Sequence, residues 1–342
     1  MLTRTLRHRA GRAERAGDLV AAIDAWSDLV RRRPDPGTEE RLAELRIEAL
    51  DGYDTGATTP VLPVPNDPFP GLVGAPPEVV PADLDAPTLG GALQHHGCLL
   101  VRGLLGPATA NELAEAVDRA FVAREATDSA DDRAAPWFAP CRAWDARRPD
   151  KAAAARKWAQ ECATMQVVDS PRALRLVTDA LVGTGLVGAV ADYLGERPVL
   201  SINKTTLRRV PPDARTAWHQ DGAFMGAETR AIDVWVALTD CGSGTDAPGL
   251  HLMPRRLDGI VDYGTPGAAH PYGVSPAVVA EIGGAITPCT PRFAAGDALV
   301  FDQLFLHSTG GDVAGLTRSR MALEAWLFAP TTFPSDYLPL YV

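Results

Sequence analysis

The chain has 342 residues, a formal net charge of −10 and 46% hydrophobic residues. That apolar content can fill a large core, which excludes wholesale disorder, and the acidic balance argues against a nucleic-acid partner, whose phosphates call for clustered Lys and Arg. No apolar run approaches the ~18 residues of a membrane span, and the basic start MLTRTLRHRAGRAERAGDLV lacks the apolar stretch of a secretory signal. A cytoplasmic protein with neither nucleic acid nor membrane as partner is expected. Five scattered cysteines without a C-x-x-C point to reduced, mostly buried thiols.

Residues 1–53 read as helical. Val20, Ile23, Trp26, Leu29 and Val30 recur at helical spacing up to Arg31–Arg33 and Pro34, and a second helix runs from Glu39 to Leu50. The stretch GDLVAAIDAWSDLVRRRPD is similar to the second helix of a tetratricopeptide unit. One unit cannot form a groove, because such repeats bury their faces on neighbours. The segment is therefore expected to be a helical hairpin capping the main domain, with docking of a protein partner as the alternative. Residues 54–88 are dense in Pro and Gly and read as a linker or extended wrap.

Residues 89–342 read as the main domain. It begins with a short helix at 89–96, a strand at Cys98–Val101 and a helix at Pro107–Val122. A polar loop at 125–150 and helices at Lys151–Cys162 and Ala173–Leu194 follow. After Gly195 the pattern changes to short apolar segments at 198–209, 231–239, 249–253, 298–306 and 319–328, parted by Gly, Pro and Asp. Such spacing predicts a sandwich or barrel of jelly-roll type. Helices first and strands afterwards make the class α+β.

The sharpest motif is Trp218-His219-Gln220-Asp221-Gly222, followed far downstream by Phe305-Leu306-His307-Ser308. On an extended segment His219 and Asp221 share a face, because side chains alternate with period two. His307 from a distant strand completes a set of three. Two imidazoles and one carboxylate leave three octahedral positions open, an arrangement diagnostic of non-haem Fe(II) oxygenases, in which a chelating cosubstrate and O₂ bind together. Arg318 and Arg320 sit two apart on the next predicted strand. A guanidinium deep in an apolar barrel needs an anion, and its planar fork matches the far carboxylate of a 2-oxo dicarboxylate.

Further candidates surround this set. Asn203 and Thr205 share a face of the preceding strand and are candidates for touching the cosubstrate. His251, in Pro248-Gly249-Leu250-His251, is a candidate substrate contact at the barrel mouth. Trp137, Phe138, Arg142 and Arg147 belong to a loop long enough to be a lid over substrate. Gln220 is expected to face away from its neighbours and pack, Trp235 to be core, and His95, His96 and His270 to be helix-end or loop residues.

The runs WHQDGAFMG, APGLHLMPRRLD, FAAGDALVFDQLFLHSTGG and SRMALEAW resemble the phytanoyl-CoA dioxygenase-like family of Fe(II)/2-oxoglutarate-dependent oxygenases, over roughly residues 89–330. The resemblance implies a cupin-like double-stranded β-helix with helices on its outer side, and iron ligation by His219, Asp221 and His307. It favours Arg320 over Arg318 as the 2-oxoglutarate anchor, since the family's Arg-x-Ala-hydrophobic run matches Arg320-Met321-Ala322-Leu323. Asp221 stands where halogenating relatives carry Gly or Ala, which disfavours halogenation. The first 88 residues lie outside the usual family core. The expected activity is hydroxylation of an unactivated C–H bond in a small organic molecule such as a biosynthetic intermediate, with 2-oxoglutarate and O₂ as cosubstrates. A catalytically silent binding protein on the same barrel and a zinc hydrolase are the alternatives.

Overall fold

A computed structural model of the chain describes residues 2–51, 64–126, 136–214, 217–310 and 315–342. Three helices open it: α1 (Leu2–Arg15), α2 (Leu19–Arg32) and α3 (Pro36–Glu48). Asp18 caps α2 by accepting from Ala21 N, and Asp35 caps α3 by accepting from Thr38 N just before Pro36. The first helix was covered only by the general helical reading, because its basic composition offers little apolar periodicity. Ile23, Val30, Leu42 and Leu45 form a small core between α2 and α3.

Within the stretch read as a linker, β1 (Glu78–Val79) pairs in parallel with β2 (Cys98–Val101). Between them α4 (Ala86–His96) starts on the Asp85 cap and stops at Gly97, which has φ +86°. A Cβ there would lie 2.7 Å from the Arg255 carbonyl oxygen, so both the backbone and the space require glycine. The helical half continues with α5 (Pro107–Glu125), α6 (Arg142–Arg147), α7 (Pro149–Glu161), the short β3 (Thr164–Gln166), α8 (Pro171–Gly183) and α9 (Leu186–Leu194). One continuous helix was expected over 173–194; instead Gly185, at φ +76°, separates α8 from α9. No single helix among the described residues is long and apolar enough to cross a membrane; α8 and α9 together have the length but are bent by 70°.

The strand-rich half comprises β4 (Val199–Val210), α10 (Gly222–Met225), β5 (Ala231–Ala237), β6 (Cys241–Gly242), β7 (Leu250–Leu252), α11 (Pro276–Gly283), β8 (Arg292–Phe293), β9 (Ala298–Asp302), β10 (His307–Thr309), β11 (Arg320–Phe328) and β12 (Pro339–Leu340). Eight strands form the main sheet in the order β1-β2-β9-β5-β11-β4-β12, with β3 also paired to β4. Every residue of β5, AIDVWVA, is buried, as a strand covered on both faces requires. A minor sheet pairs β10 with β7, and β6 pairs with β8. The predicted strand 298–306 is divided: Asp302 Oδ1 accepts from Leu304 N, and this turn throws the chain from the main sheet into the minor one.

Two faces of the main sheet therefore differ in role. Arg209 projects to one side, against Phe121 and the acidic residues of α5, so this face carries the helices. Arg208, Glu324, Asp233 and Phe301 project to the other, and Phe301 lies 4.8 Å ring to ring from His307 of the minor sheet. The space between the two sheets is the chamber in which the chemistry-bearing residues meet. All five cysteines are free.

The N-terminal helices are tied to the body by charge. The Glu39 carboxylate is fully buried and accepts from Arg172 at 3.0 Å and Arg175 at 3.2 Å, both on α8. Arg46 and Tyr341 exchange hydrogen bonds near the other end of the chain. Removing Glu39 leaves two part-buried guanidinium groups without their shared anion. Glu39→Ala is expected to lower unfolding stability by about 3 kcal/mol, read from urea denaturation; a change below about 0.5 kcal/mol, typical of an exposed pair, would show that this contact does not hold the helices in place.

Candidate metal centre

His219 and His307 are brought together by backbone. The His219 N–H donates to the His307 carbonyl at 2.9 Å and the His307 N–H returns the bond at 3.1 Å, a two-residue antiparallel bridge that sets the imidazoles 4.4 Å apart, centroid to centroid. Asp221 does not continue the extended run, as the period-two reading supposed. It has helical dihedrals (φ −65°, ψ −27°) and occupies the cap of α10. The turn still delivers its carboxylate to the imidazoles, with Oδ2 3.8 Å from His307 Nε2. One ligand atom from each of the three residues lies within 4.8 Å of the others.

Both rings are oriented alike. His219 Nδ1 lies 2.8 Å from the Ala217 carbonyl oxygen and His307 Nδ1 lies 3.2 Å from that of Phe305, so the ring N–H donates to backbone and Nε2 keeps its lone pair. Burial and the neighbouring His307 push the His219 imidazole down to about 4, and burial lowers His307 as well. Neutral imidazoles with free Nε2 atoms beside a carboxylate are the donor set of an open octahedral site. Gln220, between the two, turns outward: its amide nitrogen donates to Gly259 O and Leu304 O, and its oxygen accepts from Val261 N at 2.7 Å. It stitches the loops that flank the motif.

Arg320 opens β11 and is fully buried on the chamber side. Its Nη1 donates to Gly249 O at 2.7 Å and Pro248 O at 3.1 Å, and the guanidinium lies 5.1 Å from the Trp235 ring centroid. Nε and Nη2 have no partner. Burial lowers this guanidinium to about 10. Arg318 is different. It precedes the strand, lies half exposed and pairs with Asp246 at 2.6 Å, so the period-two relation to Arg320 fails where the strand has not yet begun.

Several expected contacts are placed elsewhere. Thr205 stands opposite Ala325, on the helical face of the sheet, and donates to Ser201 O; Asn203 Oδ1 accepts from Leu338 N near β12. The continuous pairs Thr206–Glu324 and Arg208–Ala322 put Thr206 and Arg208 on the chamber side and Thr205 on the other, a choice of face that spacing alone cannot make. His251 lies on β7 rather than in a loop and pairs with Ser308, whereas His307 pairs with Leu252. It therefore points to the opposite side from His307, 6.0 Å from the Trp218 ring. Trp137 sits between Arg119 of α5 and Arg172 of α8, Phe138 packs on the main core, and Arg142 is exposed at the start of α6. These residues belong to the helical layer; the remainder of the expected lid, 127–135, lies outside the described residues.

Residues that sequence reasoning passed over line the chamber instead. Lys204 Nζ lies 3.9 Å from the Phe224 ring centroid, Arg208 pairs with Glu324, and Asp233 stands opposite Trp326. At the mouth, Phe224 meets Tyr272 edge-on at 5.8 Å, and the His270 ring lies 6.3 Å from that of His219. An Asp in the otherwise apolar run of β5 was the one signal in the sequence that could have found Asp233.

Fold and site thus define a jelly-roll-type protein with an open two-histidine, one-carboxylate centre. Residues 93–256 match the phytanoyl-CoA dioxygenase (PhyH) family model. The matched stretch includes His219 and Asp221 and ends before His307 and Arg320. Among solved structures, EctD from S. alaskensis in its apoform is similar in fold at 15% identity, with a TM-score of 0.51 over 80% of this chain and 84% of that one. EctD with 2-oxoglutarate and 5-hydroxyectoine (15% identity, 70% and 74% covered, TM-score 0.49) and AviO1 from Streptomyces viridochromogenes Tue57 (16%, 73% and 98%, 0.44) are also similar. No curated protein matches the sequence.

The geometry makes a direct expectation for metal. His219→Ala and Asp221→Ala are each expected to weaken Mn(II) or Fe(II) binding by more than the roughly 10–100-fold lost when only a supporting hydrogen bond is removed, measured by calorimetry under anaerobic conditions. Retention of parental affinity in either variant would contradict a shared site.

Proposed function

We propose that the protein is a non-haem Fe(II)- and 2-oxoglutarate-dependent oxygenase that hydroxylates an unactivated C–H bond of a small organic molecule. The observation that carries this reading is the pairing of an open His219–Asp221–His307 set with Arg320, a buried guanidinium whose Nε and Nη2 are unpartnered. An unpaired buried cation is costly, so the site is built for an anion. The match to the PhyH family model and the likeness in fold to EctD support the same class.

The residues fit both groups. His219 Nε2, Asp221 and His307 Nε2 would hold the iron, with Ala217 O and Phe305 O fixing the ring tautomers. Arg320 grips Gly249, three residues along the β7 segment from Leu252, the partner of His307. At ~3.3 Å per residue that is roughly 10 Å, a separation suited to a five-carbon diacid that chelates the metal with one end and meets Nε and Nη2 with the other. Trp235, stacked under the guanidinium, and Leu299 beside it on the next strand keep that end dry. With iron, 2-oxoglutarate and O₂ bound, the available chemistry is insertion of one oxygen atom into a C–H bond while the cosubstrate is converted to succinate and CO₂. The chain's own part is to orient, to exclude water and to leave three coordination positions open on the chamber side. A zinc hydrolase would give Arg320 no task.

Adding Fe(II) and 2-oxoglutarate to the metal-free protein without oxygen is expected to produce a visible metal-to-ligand charge-transfer band. Arg320→Met should raise the 2-oxoglutarate concentration needed for half of that band by about 10–100-fold, the worth of a charge-assisted hydrogen bond. Arg318→Met should leave it unchanged. Absence of the band in the parent, or equal effects of the two substitutions, would overturn the reading.

A further inference from the structure

The proposed iron and 2-oxoglutarate use Asp221, the two histidines and Arg320, yet the same chamber holds four more charged side chains. Arg208 and Glu324 pair with each other. Lys204 and Asp233 are left over. Lys204 has no ion-pair partner among the described residues; its ammonium rests on the Phe224 ring at 3.9 Å, beside the residues that carry Asp221. Asp233 is 2% exposed, and its Oδ1 has no hydrogen-bond partner. The β5–β11 register puts it opposite Trp326, whose ring N–H is also unpartnered, and the β5–β9 register puts it opposite Phe301, the ring stacked near His307. Both side chains thus face the volume in front of the metal centre rather than the helical layer.

A part-buried ammonium and a buried carboxyl that form no ion pair with each other are each costly, and sheets retain such groups where a ligand completes them. Burial lowers the Lys204 ammonium, and burial together with the nearby Glu324 and Asp221 raises the Asp233 carboxyl. We propose that the substrate of this site is a small zwitterion, its anionic group held by Lys204 and its protonated amine by Asp233, with the Trp326 indole N–H as a third polar contact. Phe224 and Tyr272, in edge-on contact at the mouth, frame the entrance. This deepens the oxygenase reading, on which it rests for the chemistry: two opposed charges would fix which carbon lies before the metal.

The test uses the full chain loaded anaerobically with Fe(II) and 2-oxoglutarate. Glycine, β-alanine, γ-aminobutyrate and δ-aminovalerate are titrated in turn, with n-butyrate and n-butylamine as single-charge probes, following tryptophan fluorescence and heat. At least one amino acid in the series is expected to bind ten times or more tighter than either single-charge probe, and Lys204→Met and Asp233→Asn should each weaken it at least tenfold. If no member of the series exceeds the single-charge probes, or if both folded variants bind like the parent, the proposal is overturned. Melting curves establish that the variants are folded, and the length series on the parent protein decides the matter even if one is not. The charge-transfer band of the parent before any amino acid is added reports the oxygenase reading separately. A band without selective amino-acid binding sinks only the zwitterion, and selective binding without a band sinks only the oxygenase.

Discussion

The reciprocal backbone bridge between His219 and His307 is the constraint on which the rest of the site depends. Two hydrogen bonds join a loop that follows β4 to the minor-sheet strand β10, and thereby set two imidazoles side by side from positions far apart in the chain. Everything else is arranged around that bridge. Asp221 reaches the pair because the chain turns into α10 immediately afterwards, and Gly222 permits the close approach, since a Cβ there would come within 3.0 Å of the Gln303 carbonyl. Gln220 anchors the opposite side of the same segment to three backbone groups. Rigid support of this kind is what a site needs if open coordination positions are to point one way.

The charges of the chamber follow a consistent logic. Arg208 pairs with Glu324 inside it, as Arg102 does with Asp297 and Arg256 with Asp302 elsewhere in the molecule. Arg320 and Asp233 each keep side-chain atoms without a hydrogen-bond partner, Lys204 has no ion-pair partner among the described residues, and all three lie on the face that looks toward the minor sheet. Buried polar groups without partners weaken a fold unless something else supplies the missing bonds.

Much of this was legible in the amino-acid sequence, and the reasons for the rest are specific. Strands β2, β4, β5 and β11 stood out because apolar runs between turn residues have few other readings. The histidines and Asp221 stood out because the motif is short and the distal histidine sits in an apolar segment. Alternation told which residues of β4 share a face but not which face meets the candidate metal centre, and it is Lys204 rather than Thr205 that rests on Phe224 there. It failed at Arg318, which precedes the strand, and the side to which His251 points is set by the pairing of its three-residue strand with β10, which the sequence does not show. Trp137, Phe138 and Arg142 drew attention as aromatic and basic residues in a polar loop, but such residues serve equally well to stack helices, as Arg119 and Arg172 do on Trp137. The charged pairings across the chamber join strands whose order in the sheet no local pattern encodes.

The central claim is that His219, Asp221 and His307 share one iron ion. X-ray diffraction at the iron absorption edge, on crystals grown anaerobically with Fe(II) and 2-oxoglutarate, tests it most directly. The account predicts a single anomalous peak at bonding distance, about 2.0–2.2 Å, from both Nε2 atoms and a carboxylate oxygen. A peak elsewhere, or one that contacts only one of the three residues, would contradict it.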